Sequence, residues 1–96
     1  MYASLLKFKT APGKRTEAEG VADAMNPVLK GMKGLKSIVY IVDSDNNEYG
    51  SLSKWETKED LEAGINSIQS KLQELLGPIA IEPPVRKIYE VYEPKT

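Results

Sequence analysis

The run Tyr49-Gly50-Ser51-Leu52-Ser53-Lys54-Trp55-Glu56-Thr57-Lys58-Glu59-Asp60 holds the end of a strand, the start of a helix and the joint between them. Up to Trp55 the residues alternate as a strand does, which puts Ser51, Ser53 and the only tryptophan on one side. Thr57 is suited to cap a helix, and Glu59, Asp60 and Glu62 follow near the positive helix end. Leu61, Ile65, Ile68, Leu72, Leu75 and Leu76 then recur at steps of three and four, the apolar stripe of an amphipathic helix, until Gly77-Pro78 stops it.

The same order of signals occurs once upstream. Tyr2 to Lys9 reads as a strand, with Tyr2, Ser4, Leu6 and Phe8 on one face and Ala3, Leu5, Lys7 and Lys9 on the other. A turn at Thr10 to Gly13 leads into a helical stripe between Lys14 and Met32, built on Ala18, Val21, Ala22, Met25, Val28, Leu29 and Met32. Pro27 interrupts it, but the stripe continues in register, so a kink is expected rather than a stop. Gly31 and Gly34 end the helix, with Lys30 and Lys33 at its negative end. Leu35 to Asp43 is dense in β-branched residues and forms the second strand, and the polar stretch Asp43 to Glu48 fits a hairpin loop before the strand that ends at Trp55. After the second helix, a proline-bearing connection from Ile79 to Pro84 leads to a last strand from Val85 to Tyr92, and Glu93 to Thr96 reads as a short tail.

Two strand-helix-strand halves in this order predict an α+β, ferredoxin-like βαββαβ domain spanning residues 1–96, a four-stranded antiparallel sheet with both helices on one face. Alternation assigns Leu6, Phe8, Val39, Ile41 and Trp55 to one sheet face and Leu5, Ile38, Tyr40, Val42, Leu52 and Ile88 to the other. Helices cover only one of these sets, and an apolar face left bare marks an interface. A two-fold homodimer packed sheet against sheet is therefore expected. At 96 residues the chain buries only about 60–65% of its unfolded surface, so a second subunit would thicken a thin core.

Composition narrows the chemistry. With 13 basic and 14 acidic side chains there is no electrostatic drive toward nucleic acid or an anionic membrane. There is no cysteine and no histidine, which removes thiolate chemistry, the usual metal ligand and the usual base near neutral pH. No segment is apolar for long enough to span a bilayer, and the first residues read as a strand rather than a signal, so a cytoplasmic location is the default expectation.

With its first strand running into Pro12-Gly13-Lys14, its second opening at Gly34-Leu35, its third ending in Trp55-Glu56-Thr57-Lys58-Glu59, and a final tyrosine-bearing strand, the chain resembles the antibiotic biosynthesis monooxygenase-like family of dimeric α+β barrel proteins over nearly its whole length. The resemblance implies a ferredoxin-like dimer and a range of activities: cofactor-independent oxygenases of aromatic polyketides, quinol monooxygenases, haem-degrading enzymes and proteins without established activity. Haem-degrading members pair the tryptophan with a first-strand asparagine and a histidine on the second helix; here Leu6 stands at the asparagine position and there is no histidine. Cofactor-free members use an asparagine shortly before the tryptophan and a tyrosine in the following helix, and here those positions are Ser51 and Leu61. Serine can donate a hydrogen bond; leucine cannot.

Trp55 is then either a pocket wall that stacks on a flat substrate or a core anchor. Burying an aromatic removes about 150–250 Å² from water, some 4–6 kcal/mol as an upper bound, so packing alone accounts for it. Ser51, Ser53 and, on the first strand, Ser4 are polar groups beside the tryptophan; they orient a ligand oxygen, or they satisfy backbone groups or a buried water. Leu6, Met25 and Tyr89 complete the expected lining, with core packing as the plain alternative for each. Arg86, the one arginine outside the first helix, binds an anionic substrate group or forms an edge-strand or inter-subunit ion pair. Asp43, Asp45 and Asn47 follow the opening of a calcium loop, but Glu48 replaces its glycine and Lys54 its final glutamate, which leaves a hairpin loop and no metal site.

Two functions follow, beside a purely structural role without a ligand. One is a cofactor-free monooxygenase of an aromatic or quinol-like molecule, needing neither metal nor prosthetic group. The other is a non-catalytic homodimer that binds a small hydrophobic ligand or regulates a partner. A cavity of roughly 300 Å³ or more beside Trp55 favours a ligand site, and a closed interior favours the second.

Overall fold

The computed structural model describes residues 1–95. Its elements run β1 (Tyr2–Lys9), α1 (Arg15–Lys30), β2 (Leu35–Asp43), β3 (Glu48–Trp55), α2 (Lys58–Leu76) and β4 (Val85–Glu90). The four strands pair antiparallel in the order β2-β3-β1-β4, so the two halves of the chain interleave at the centre of the sheet as the ferredoxin-like fold requires. β4 stops at Glu90, two residues short of the expected end; beyond it Val91 N–H donates to the Met1 carbonyl, and Thr96 of the expected tail lies outside the described residues.

The local signals act as their chemistry predicts. The Thr57 hydroxyl accepts from Asp60 N–H at 3.1 Å and caps α2. α1 runs through Pro27 to Lys30, with Gly31 as its cap. Gly34 then takes φ 85, a left-handed angle that turns the chain into β2. The Asp43–Glu48 segment is a hairpin loop with a single 3-10 turn at Ser44–Asn46 and Asn47 in the left-handed region. The proline connection is tied back to β1 through Ile81 N–H, which donates to the Lys9 carbonyl.

Register decides which side chains meet. Four rows cross the face under the helices. Leu35, Trp55, Tyr2 and Glu90 form the first; Ile38, Ser53, Ser4 and Ile88 the second; Tyr40, Ser51, Leu6 and Arg86 the third; Val42, Tyr49 and Phe8 the fourth. This corrects the alternation reading at two strands. In β2, Leu35 faces Trp55 but Ser37 faces Lys54, so Lys36 is bulged out and every later residue changes side. Ile38, Tyr40 and Val42 therefore join Trp55 under the helices, while Val39 and Ile41 turn outward. Ile88 of β4 also faces inward, because its phase is set by pairing with Ser4 and not by the length of the proline connection.

The core lies between this face and the helices. Trp55 is 2% exposed and Leu61 is fully buried; Phe8, Met25, Leu29 and Ile68 pack with them. The rings of Phe8 and Tyr49 stack with centroids 5.8 Å apart. The outer face stays uncovered. Val39, Leu52 and Leu5 line up across three strands there, and Val85 and Tyr89 extend the patch along β4. No helix among the described residues is long and apolar enough to cross a membrane.

Candidate functional site

A cavity of about 100 Å³ lies between the inner rows and the two helices. Its floor is the third row, Tyr40, Ser51, Leu6 and Arg86, with Ser53 and Trp55 beside it and Met25 in its roof. Five of the seven expected lining residues thus come together: Trp55, Ser51, Ser53, Leu6 and Met25. The volume is below the roughly 300 Å³ of a drug-sized site and fits about one small ring.

The two remaining residues lie elsewhere. Ser4 is buried on the inner face but does not reach the cavity; its hydroxyl accepts a 2.6 Å hydrogen bond from Arg86 Nη1. Tyr89 pairs with Ala3, so it sits on the outer face, 46% exposed, and the expectation that it lines the pocket is corrected. Its alternation phase, like that of Ile88, depends on a pairing that sequence does not reveal.

The polar groups differ in what they have left to offer. Trp55 Nε1 donates to Ser53 Oγ at 2.9 Å, and the Ser53 hydroxyl in turn points at the Ser4 carbonyl, 3.5 Å away. Ser53 and Ser4 are thereby committed to the indole, a backbone carbonyl and the guanidinium. Among the described residues nothing hydrogen-bonds the Ser51 hydroxyl, so it is free to meet a ligand oxygen. No buried side-chain nitrogen or oxygen lacks a partner among the described residues, so the interior imposes no unmet polar demand of its own.

Three residues outside the expected lining also shape the site; of these only Arg86 was weighed from the sequence as a ligand contact, beside an ion pair. Tyr40 ends the floor row at β2, donating from its hydroxyl to Asn26 Oδ1 at 2.9 Å and so tying β2 to α1 just before Pro27. Burial, together with the nearby Asp23 carboxylate, raises the Tyr40 phenol above its ordinary value. Arg86 closes the opposite end of the row, and burial lowers its guanidinium from the ordinary value. Gly64 of α2 packs against Cη2 and Cζ3 at the six-membered end of the Trp55 indole, with no side chain between helix and ring. Tyr40 and Arg86 were legible as strand residues but not as inward ones; the signal for Gly64 was a glycine inside an otherwise regular helical stripe, which marks close packing.

The catalytic positions of relatives are only partly matched. Leu61, at the position of the helix tyrosine, is fully buried in the core and supplies no donor. No histidine is present to act as a base; the ionisable residues lining the cavity are Tyr40, Tyr49, Arg86 and Glu19, the last paired with Arg15.

In fold, the chain is similar to a protein of unknown function from Nitrosomonas europaea, with a TM-score of 0.84 at 14% identity over 99% of this chain and 92% of that one. It is similar to Rv0793 from Mycobacterium tuberculosis, with a TM-score of 0.82 at 16% identity over 99% and 98%. It is also similar to a variant of SnoaB, a cofactor-independent oxygenase from Streptomyces nogalater, with a TM-score of 0.80 at 10% identity over 98% and 95%. No curated protein matches by sequence. The family model described as antibiotic biosynthesis monooxygenase matches residues 1–67, which take in β1, α1, the β2–β3 hairpin, Trp55 and the first half of α2. The chain belongs to the antibiotic biosynthesis monooxygenase family.

Proposed function

We propose that the chain is a cytoplasmic homodimer that oxygenates an aromatic or quinol-like small molecule without a cofactor. The observation that carries this reading is the apolar cavity beside Trp55 with one uncommitted hydroxyl, Ser51, on its floor. Family membership supports the reaction class. In such a reaction an electron-rich substrate anion gives an electron to dioxygen, the radical pair combines to a peroxide anion, and this takes back the proton lost on ionisation to give a hydroperoxide. At a ring methylene, loss of water from the hydroperoxide leaves a carbonyl, so one oxygen atom is kept and the other leaves as water. The protein's part is to exclude water and hold the anion. Trp55 would stack on the ring and Ser51 would donate to its oxygen.

The outer sheet face supports the dimer. Val39 is 53% exposed and Val85 57%, and with Leu52 and Tyr89 they form an apolar patch that a second copy would cover.

A second reading is a non-catalytic binder of a small hydrophobic ligand. The observations that favour it are the small cavity, the commitment of Ser53 and Ser4 to internal bonds, and Leu61 in place of a phenol. Oxygen uptake with anthrones and naphthoquinols separates the two. Turnover that yields the carbonyl product and falls in Trp55→Phe supports the oxygenase. Saturable quenching of Trp55 fluorescence without oxygen uptake supports the binder.

A further inference from the structure

Among the described residues, Arg86 is a partly buried cation without a counter-ion. Among the described residues no carboxylate oxygen lies within 4.0 Å of its nitrogens, although five other ion pairs form on the surface. Its one side-chain partner among those residues is the neutral Ser4 hydroxyl, which takes one of the five N–H donors of a guanidinium. It faces the helices in the row with Leu6, so it points away from the outer sheet face where a second copy would dock, and an inter-subunit pair across that face is out of its reach.

Arg86 also stands between two spaces. Beyond the cavity beside Trp55 lies a second cavity of about 520 Å³, between the C-terminal half of α2 and the Pro83-Pro84 connection. Leu6, Ile65, Leu72 and Arg86 line both, so they form the wall between them. The outer cavity is of ordinary ligand size where the inner one is not. Glu82 lines it as well but makes no ion pair with Arg86. From Ser51 on β3 to Arg86 on β4 is two strand spacings, about 10 Å, close to the length of two fused rings with a substituent.

We propose that Arg86 holds the ionised oxygen of the ligand, and that the ligand is a two-ring aromatic compound bearing a carboxylate or phenolate, with one ring seated over Ser51 in the inner cavity and the other reaching past Arg86 into the outer cavity, from which it enters. The proposal deepens the reading of the Trp55 cavity as a ligand site and rests on it. A charge-assisted, forked hydrogen bond in a water-poor site gives the anion a strong preference over its neutral form.

The test is binding, read by Trp55 fluorescence and calorimetry, with 1-hydroxy-2-naphthoate, its neutral methyl ester, and 1-naphthol below and above its ionisation. The wild-type protein is expected to prefer the acid over the ester by at least about tenfold. Arg86→Gln, which keeps a donor for Ser4, and Arg86→Met, which does not, are expected to abolish that preference while still binding the ester. 1-Naphthol tightening on ionisation, with the effect lost in R86Q, identifies a phenolate; acid preference without that tightening identifies a carboxylate. An acid-to-ester ratio unchanged by both substitutions overturns the proposal, and so does a wild-type protein that binds none of the probes. Far-UV circular dichroism and the urea midpoint establish that each variant is folded. None of the probes needs to be turned over. A failed oxygen-uptake assay therefore sinks the oxygenase reading and leaves Arg86 standing, and an unchanged ratio sinks Arg86 and leaves the oxygenase reading standing.

Discussion

Gly64 lies so close to Trp55 that a Cβ built on it would sit 2.5 Å from Cη2 of the indole and 3.3 Å from Met32 Sδ. The second helix and the tryptophan therefore occupy their positions only because Gly64 has no side chain. An unhindered glycine inside a helix loses about 1 kcal/mol relative to alanine, whereas forcing a methyl group into a packed contact costs about 1–3 kcal/mol. Gly64→Ala is expected to destabilise the fold by about 1 kcal/mol net and to push the indole into the cavity. At Gly20 of α1 an added methyl group would meet nothing within 4 Å, so Gly20→Ala should stabilise by up to about 1 kcal/mol. Urea unfolding of the two variants beside the wild type reads the opposite signs; the same sign at both sites would mean that the indole does not hold the helix at Gly64.

Trp55→Phe separates the anchor from the pocket wall. Phenylalanine keeps an aromatic ring but loses the N–H that satisfies Ser53 Oγ and part of the area buried against α2. A loss of about 1–3 kcal/mol in urea unfolding is expected from the smaller ring and the orphaned serine. Binding of a two-ring aromatic, measured by calorimetry, is expected to weaken by about tenfold or more. Stability loss with unchanged binding would leave Trp55 a core residue alone.

The strand and helix order was legible because each element carries its own local signal. Thr57 caps, Gly77-Pro78 stops, and the stripes of α1 and α2 keep their phase for four or five turns. Side-chain direction on the strands was not, because it depends on pairing. One extra residue at Lys36 reverses everything after it, which is why Tyr40 reads as outward in the sequence and lines the cavity floor in the fold. Tyr89 and Ile88 of β4 fail for the related reason that a proline connection fixes no phase. Ser51, Ser53 and Trp55 were legible together because they share one unbulged strand.

On the outer face Val39, Leu52 and Leu5 form an apolar row across three strands, with Leu52 at its centre and 42% exposed. If two copies meet there, Leu52→Lys puts a cation into the middle of the contact, where burying it unpaired costs several kcal/mol. Sedimentation at micromolar concentration is expected to find a dimer for the wild type and a monomer for the variant, with the fold kept, because in the single subunit this side chain is open to solvent. A monomeric wild type would end the sheet-to-sheet proposal.

Tyr40 makes the stability of the fold sensitive to alkali. Its phenol lies above the ordinary value of 10.0, chiefly through burial and secondarily through the Asp23 carboxylate, while in the unfolded chain it titrates at that ordinary value. A folded-state value raised above the unfolded one favours the protonated form of the fold, so the contribution is fully present below about pH 10 and is lost as pH rises through the folded-state value. Once ionised, the phenolate cannot donate to Asn26 Oδ1 and is repelled by Asp23, so the tie between β2 and α1 opens. Tyr40→Phe removes both effects. Urea midpoints measured at about pH 8 and about pH 11 should fall less between the two conditions in the variant than in the wild type. Equal alkaline losses in the two proteins would mean that Tyr40 ionises as freely in the fold as in the unfolded chain.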